Sequence, residues 1–302
     1  MAMSTILNIL RPVDRLMSHY DDVKACDKID DTVKEFYDVR NADVVQALNS
    51  LDFYNDGICD GGITPIVRGH EIRGRALTVK IMPKNDKKPN YQGRSLSDAE
   101  DGAEETNPMN QNKGWKEDFG NVLHEYLDIT QPGDVICVDM EGEAYQLGGD
   151  HLSLKSLLRG AVGMVVDGGM RDAFGIREVN FPVWTRHIAQ KEPVQEMELV
   201  AINEPISLGG TKVQPGDLIC CDDDGVIAVP KQHEDEVLDA AKGGYEMDVS
   251  LRKQKMNFLR EEGVDIDIDF TPPSQRREVP ANLSGVSEEV WEEVLQRTEE
   301  DY

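Results

Sequence analysis

The chain has 302 residues, with 32 Lys and Arg against 58 Asp and Glu, a formal net charge of −26. Such an excess of acid repels phosphate backbones and anionic membrane surfaces, so neither nucleic acid nor a membrane is an expected partner. The hydrophobic share of 39% suffices for a sizeable core, and the length suits one or two domains.

No run approaches the roughly 18 apolar residues of a membrane span. The start, MAMSTILNILRPVDR, lacks the basic region and cleavage site of a signal peptide. The five cysteines (Cys26, Cys59, Cys137, Cys220, Cys221) show no CxxC spacing, and three sit in apolar strand-like runs. Buried free thiols in a reducing compartment explain them better than disulfides or a zinc site, so a cytoplasmic location is expected.

Residues 1–40 are mixed and charged and read as an N-terminal extension. Asn41 or Asp43 caps a helix with Val44, Leu48 and Leu51 on one face. DGGITPIVRG is a loop, and RALTVKIM (75–82) is a strand. Residues 84–118 are polar, carry two prolines and few aliphatics, and read as an insertion or long surface loop. Helical spacing resumes at Val122, Leu123, Tyr126 and Leu127. DVICVDM (134–140) is a buried strand.

An alternation follows: helix 149–160, strand 162–169, a short helix in MRDAFGIREVN, strand 181–188. MELVAI, TKVQPGDLICC and GVIAVP are later strands, and a helix runs from about Lys231 to Lys255. PGD occurs before two strands and reads as turn chemistry. The pattern gives an α/β catalytic domain over 41–257. Residues 258–302 form an acidic C-terminal extension, a Pro-broken linker and then a short helix bearing Val290, Trp291, Val294 and Leu295.

The chain contains no P-loop, no HExxH, no GxSxG and no GxGxxG after a strand. Its six histidines show no metal-ligand spacing. Two segments stand out, AYQLGGDHLSL and VVDGGMRDAFGI. In each a glycine pair hands over to a helix, where exposed backbone N–H groups make an anion site suited to a carboxylate. Arg171–Asp172 and Asp150 follow these pairs. The plainer reading is a helix cap and a surface ion pair for the first, an N-cap for the second. Asp222–Asp224, followed by Gly225, reads as a turn rather than a metal site, and Cys220–Cys221 as packing rather than a nucleophile.

The markers VVQALNSLDF, DGGITPIVRGHEIRGRALTV, QPGDVICVD, GGDHLSL, GAVGMVVDGGMRDAFGIREVNFPVW and PGDLICCDDDGVIAVP lie within the stretch from about Thr32 to Leu251. Over this stretch the sequence resembles the regulator-of-ribonuclease-activity-A-like family, which includes the class II 4-hydroxy-4-methyl-2-oxoglutarate aldolases. Twenty residues separate Asp150 from Arg171–Asp172, the spacing of the aldolase branch. The ribonuclease-regulator branch has Gly where this chain has Asp150.

The resemblance implies a three-layer β/β/α swivelling-type domain, assembled as a homotrimer or homohexamer with the site between subunits. It implies Asp172 as the carboxylate ligand of Mg²⁺ or Mn²⁺, with Asp150 holding a water of that ion. Arg171 would contact the 2-keto oxygen of pyruvate. The backbone of Gly149, Asp150, His151 and Leu152 would cradle the pyruvate carboxylate. His151 departs from the Leu common at that position. The implied activity is a metal-dependent carbon–carbon lyase that cleaves a 2-keto-4-hydroxy acid to pyruvate and a second carbonyl compound. Oxaloacetate decarboxylation would share its enolate. No side chain in the motif is an obvious base, so a metal-bound water is the candidate. The alternative is a non-catalytic, protein-binding regulator on the same scaffold.

Overall fold

The computed structural model describes residues 31–54, 56–84, 122–193 and 196–264. The insertion at 85–118, most of both extensions, Cys26 and His19 lie outside the described residues.

The centre is an eight-stranded mixed sheet. Strand β2 (Ile72–Pro83) pairs in parallel with β3 (Asp134–Asp139), β3 with β4 (Gly163–Met170), and β4 with β5 (Val183–Ile188). A two-residue strand, β1 (Thr64–Pro65), closes that edge antiparallel to β5. On its other side β2 takes two antiparallel partners in succession. Its first residues pair with β9 (Leu218–Asp222), and its last with β6 (Met197–Ile202). β10 (Gly225–Val229) pairs antiparallel with β9. A separate ribbon of β7 (Ile206–Leu208) and β8 (Thr211–Val213) completes the strands.

Parallel strands need covering on both faces, which is why β3 is buried at all six positions. Alternation along the strands splits the core in two. Val135, Cys137 and Val165 face one cluster, shared with α1 (Asp31–Glu35), α2 (Asn41–Ser50) and α6 (Glu234–Glu261). Ile136, Val138, Met164 and Val166 face the other, with α3 (Tyr126–Ile129), α4 (Asp150–Arg159) and α5 (Ala173–Val179). α4 and α5 are the crossovers from β3 to β4 and from β4 to β5. They lie on one face because such connections share a hand. The expected α/β class therefore stands.

Several boundaries differ from the expectation. Arg40, not Asn41 or Asp43, is the N-cap of α2. Asp43 instead reaches back to the Arg40 backbone N–H at 3.0 Å. Residues 31–39 are packed into the body: Val33, Phe36, Tyr37 and Val39 are buried in the first cluster. The cause is Arg73, fully buried in β2, whose guanidinium donates to the carbonyls of Phe36 and Val39 at 3.3 Å and to Glu71 at 2.8 Å. The segment TKVQPGDLICC is two strands, β8 and β9, broken at Pro215. β7, three residues long, gave too short a pattern to be read. The two QPGD turns are built alike: Gln131 and Gln214 each donate their N–H to the following Asp134 or Asp217 carboxylate at 2.8 Å.

Candidate active site

In open α/β sheets ligands gather beyond the carboxyl ends of the strands. The first glycine pair, Gly148–Gly149, lies there at the start of α4; the second, Gly168–Gly169, is instead buried within β4, packed on Met140 and Tyr145, so it presents no helix-terminus anion site. Leaving β3, the chain runs alongside the end of β4: Leu147 N–H donates to Gly169 O at 2.8 Å, and Arg171 N–H to Gly148 O at 2.9 Å. It then enters α4 at Asp150. Strand β4 ends at Met170, so Arg171 and Asp172 fall beside Gly148 and Gly149. The twenty-residue spacing is thus one helix up and one strand back.

The two loops interlock through missing side chains. A Cβ on Gly149 would collide with the Asp172 carboxylate and lie 2.9 Å from the Asp172 Cβ. A Cβ on Gly175 would lie 2.5 Å from Asp150 Oδ2. Each carboxylate rests where the opposite loop offers only a glycine. Asp172 itself caps α5 in the left-handed region, φ 51° and ψ 39°, a conformation Asp tolerates better than most residues. Its side chain remains 45% exposed.

Arg171 is 40% exposed. Its Nη1 donates to Glu192 Oε1 at 2.9 Å, and its Nε lies 3.3 Å from Asp172 Oδ2. The second Glu192 oxygen accepts from Gln146 Nε2 at 2.6 Å. Gln146 is buried, and its Oε1 has no hydrogen-bond partner among the described residues. Its backbone N–H donates to Lys191 O at 2.9 Å. Lys191 Nζ stands 3.7 Å from the centre of the Tyr145 ring, and the Tyr145 hydroxyl donates to Glu196.

The structure therefore gathers Asp150, Arg171, Asp172 and the Gly149–Leu152 turn at one cleft. His151 is exposed, and its N–H donates to Asp150 Oδ1 at 2.8 Å, so one of the four cradle donors is engaged. Gln146 and Glu192 were missed by sequence reading. Gln146 stands three residues before the Gly149 turn and was within the AYQLGG segment. Glu192 lies in a loop after β5 with no motif to mark it.

The donor set suits a hydrated hard cation. No group of three His, Cys, Asp or Glu among the described residues is placed to enclose a metal. A single half-exposed carboxylate, Asp172, with Asp150 in the same cleft, is the kind of site at which Mg²⁺ keeps several waters.

Other candidates resolve into structure. Asp224 N–H donates to Asp222 Oδ1 at 2.9 Å and Gly69 N–H to Asp223 Oδ1 at 2.8 Å, so these residues hold turns. Burial pushes the Cys59 thiol up to about 12 and Cys220 to about 11, far from thiolate chemistry. His70, His124 and His187 are bound to Asn180, Leu147 O and Gly142 O at 3.0–3.1 Å. No helix among the described residues is long and apolar enough to cross a membrane.

Relatives share this frame. A protein of Halalkalibacterium halodurans, provisionally named 4-hydroxy-4-methyl-2-oxoglutarate aldolase, is 39% identical over 114 residues, 37% of this chain and 54% of that one. Protein DlpA of Legionella pneumophila is 26% identical over 219 residues, 70% of this chain but 29% of its own length. The match thus spans about half of the first relative and under a third of the second. Streptomyces coelicolor RraAS2, described as an unusual member of the RNase ES inhibitor RraA protein family, superposes with a TM-score of 0.58 at 27% identity, covering 73% of this chain and 95% of that one. The profile of the RraA-like proteins, described as Aldolase/RraA, matches residues 35–228, more than half of the sequence, and the chain belongs to this family.

Proposed function

We propose that the protein is a divalent-metal-dependent lyase that releases pyruvate from a 2-keto-4-hydroxy acid. The observation that carries this reading is the meeting of Asp150, Arg171 and Asp172 in one cleft, each carboxylate seated against a glycine of the opposite loop. The aldolase name borne by relatives supports the reaction class.

Retro-aldol cleavage breaks the C3–C4 bond and develops negative charge on the 2-keto oxygen. The Arg171 guanidinium, at the rim with its Nη1 held, is aimed to stabilise that charge. The N–H groups at the start of α4 take the substrate carboxylate, aided by the helix dipole. Asp172 would hold Mg²⁺ or Mn²⁺, with Asp150 orienting a water in its hydration shell. Such an ion supplies Lewis-acid polarisation of the keto group. Oxaloacetate decarboxylation passes through the same pyruvate enolate and is the second activity proposed.

The assembly proposed with this reading is a homotrimer or homohexamer. Phe174, two residues beyond Asp172, and Ile188, paired with Met170, are exposed apolar side chains flanking the cleft. Light scattering gives the count of copies directly.

The test couples pyruvate release to lactate dehydrogenase. Substrates are 4-hydroxy-4-methyl-2-oxoglutarate and oxaloacetate, with Mg²⁺ and then with EDTA. Release that EDTA abolishes is the expected result. Arg171→Ala should lower turnover by about 10²–10³-fold with the circular dichroism spectrum unchanged. Full activity in that variant would overturn the role given to Arg171, and no metal-dependent release by the wild-type protein would favour a regulator acting through protein contacts.

A further inference from the structure

Arg171 has two carboxylates within reach, and they would have opposite effects. Asp172 Oδ2 lies 3.3 Å from Nε, yet Nε makes no hydrogen bond among the described residues. Glu192 Oε1 accepts from Nη1 at 2.9 Å. A guanidinium at the end of a flexible stem settles on whichever carboxylate offers the better fork. If it tightened its 3.3 Å contact with Asp172 into a hydrogen-bonded fork, it would occupy both oxygens of the proposed cation ligand. It would also turn away from the keto oxygen.

Glu192 is itself fixed. Its other oxygen accepts from Gln146 Nε2 at 2.6 Å. Gln146 is 4% exposed and anchored by its backbone bond to Lys191, the residue before Glu192. Lys191 in turn packs on Tyr145. The chain Tyr145–Lys191, Gln146–Glu192, Glu192–Arg171 runs from buried strand edge to cleft mouth without a break.

We propose that Glu192, steered by Gln146, is a positioning residue that holds Arg171 Nη1 across the cleft and so limits the guanidinium to the loose 3.3 Å contact of Nε with Asp172, short of a two-bonded fork. The inference rests on the lyase reading for its consequence, but not for its geometry. Glu192 touches neither substrate nor cation; it acts through Arg171.

The test compares the wild-type protein with Glu192→Ala and Glu192→Gln. Three readouts are taken: kcat and KM for pyruvate release, Mn²⁺ affinity without substrate, and the crystal structure of the Ala variant. In Glu192→Ala, kcat and Mn²⁺ affinity should each fall about 10- to 100-fold, as when a residue that orients a metal ligand is lost. The melting temperature should stay near wild type, because a half-exposed side chain is removed. Arg171 should be found in a two-hydrogen-bond fork on Asp172, in place of the single 3.3 Å contact. Glu192→Gln should recover most of both losses. Its amide oxygen can accept from Nη1, and, with the Gln146 amide turned over, its NH₂ can donate to Gln146 Oε1, which has no partner among the described residues.

Wild-type kcat and Mn²⁺ affinity in the Ala variant would overturn the proposal, as would a Gln variant as impaired as the Ala one. If the wild-type protein releases no pyruvate, the lyase reading fails by itself. The crystal structure then decides the positioning: a guanidinium forked onto Asp172 supports it, and an unmoved one overturns it.

Discussion

At the scale of single residues, the site depends on what is absent as much as on what is present. Gly149 and Gly175 leave room for two carboxylates that any side chain would displace. Gly149→Ala would drive its methyl into the Asp172 side chain, and Asp172 is rooted in a left-handed turn that cannot follow. The expected outcome is a pyruvate-release rate down by at least about tenfold, with a fall in melting temperature of a few degrees, as overpacking costs about 1–3 kcal/mol. The assay and a thermal scan check it together. His124 gives a second residue-scale prediction. Burial lowers its pKa below the ordinary 6.5, against the bond to Leu147 O that raises it. The unfolded chain therefore binds this proton at a higher pH than the folded one. The stability it contributes is complete above 6.5 and is lost as pH falls from there toward the folded value. Melting temperature should drop between pH 7.5 and 5.5, and His124→Gln should flatten that slope. An identical slope in the variant would exclude His124 as its source.

Among the elements, β2 organises the most. It is twelve residues long, pairs with three strands, and carries Arg73 and Arg75 into the interior. Arg75 pairs with Glu234 at the start of α6, tying the sheet to the longest helix. Arg73 instead gathers backbone carbonyls of the 36–39 segment, along with Glu71. Arg73→Ala leaves those acceptors and the Glu71 carboxylate without their donor. The expected loss is about 3–5 kcal/mol, measured by urea unfolding. A loss under about 1 kcal/mol would mean the 31–39 segment is held by apolar packing and by the Tyr37 hydroxyl, which bonds the backbone of residue 73, rather than by the guanidinium. That segment also shows where sequence reading fell short. Its charges conceal Val33, Phe36, Tyr37 and Val39, whose burial follows from a distant arginine and not from a local period.

For the whole molecule, the formal charge of −26 is the dominant long-range term. Like charges repel most in the compact state, and salt shortens their reach from about 30 Å at 0.01 M to about 3 Å at 1 M. The melting temperature should therefore rise with NaCl between those limits. A flat or falling response would show that local ion pairs such as Arg186 with Asp60 and Asp167 outweigh the net repulsion.

The sequence by itself determined the α/β class, because strand and helix periods alternate from Asp134 to Ile188. It also marked Asp150, Arg171 and Asp172, because each follows a glycine pair and their spacing is that of the aldolase branch of the family the sequence resembles. Turn chemistry was largely local: each QPGD turn bonds within itself and Asp224 bonds to Asp222, although Asp223 also holds the distant Gly69. Only the tertiary structure decided the rest. Two antiparallel partners share the far edge of β2, a choice made by shape and burial rather than by either strand's own pattern. Glu192 and Gln146 reach Arg171 from 21 and 25 residues away in the chain, with no periodic signal to link them. A hydrogen bond between loops depends on where the strands beneath them end, and that is fixed only when the sheet has closed its register.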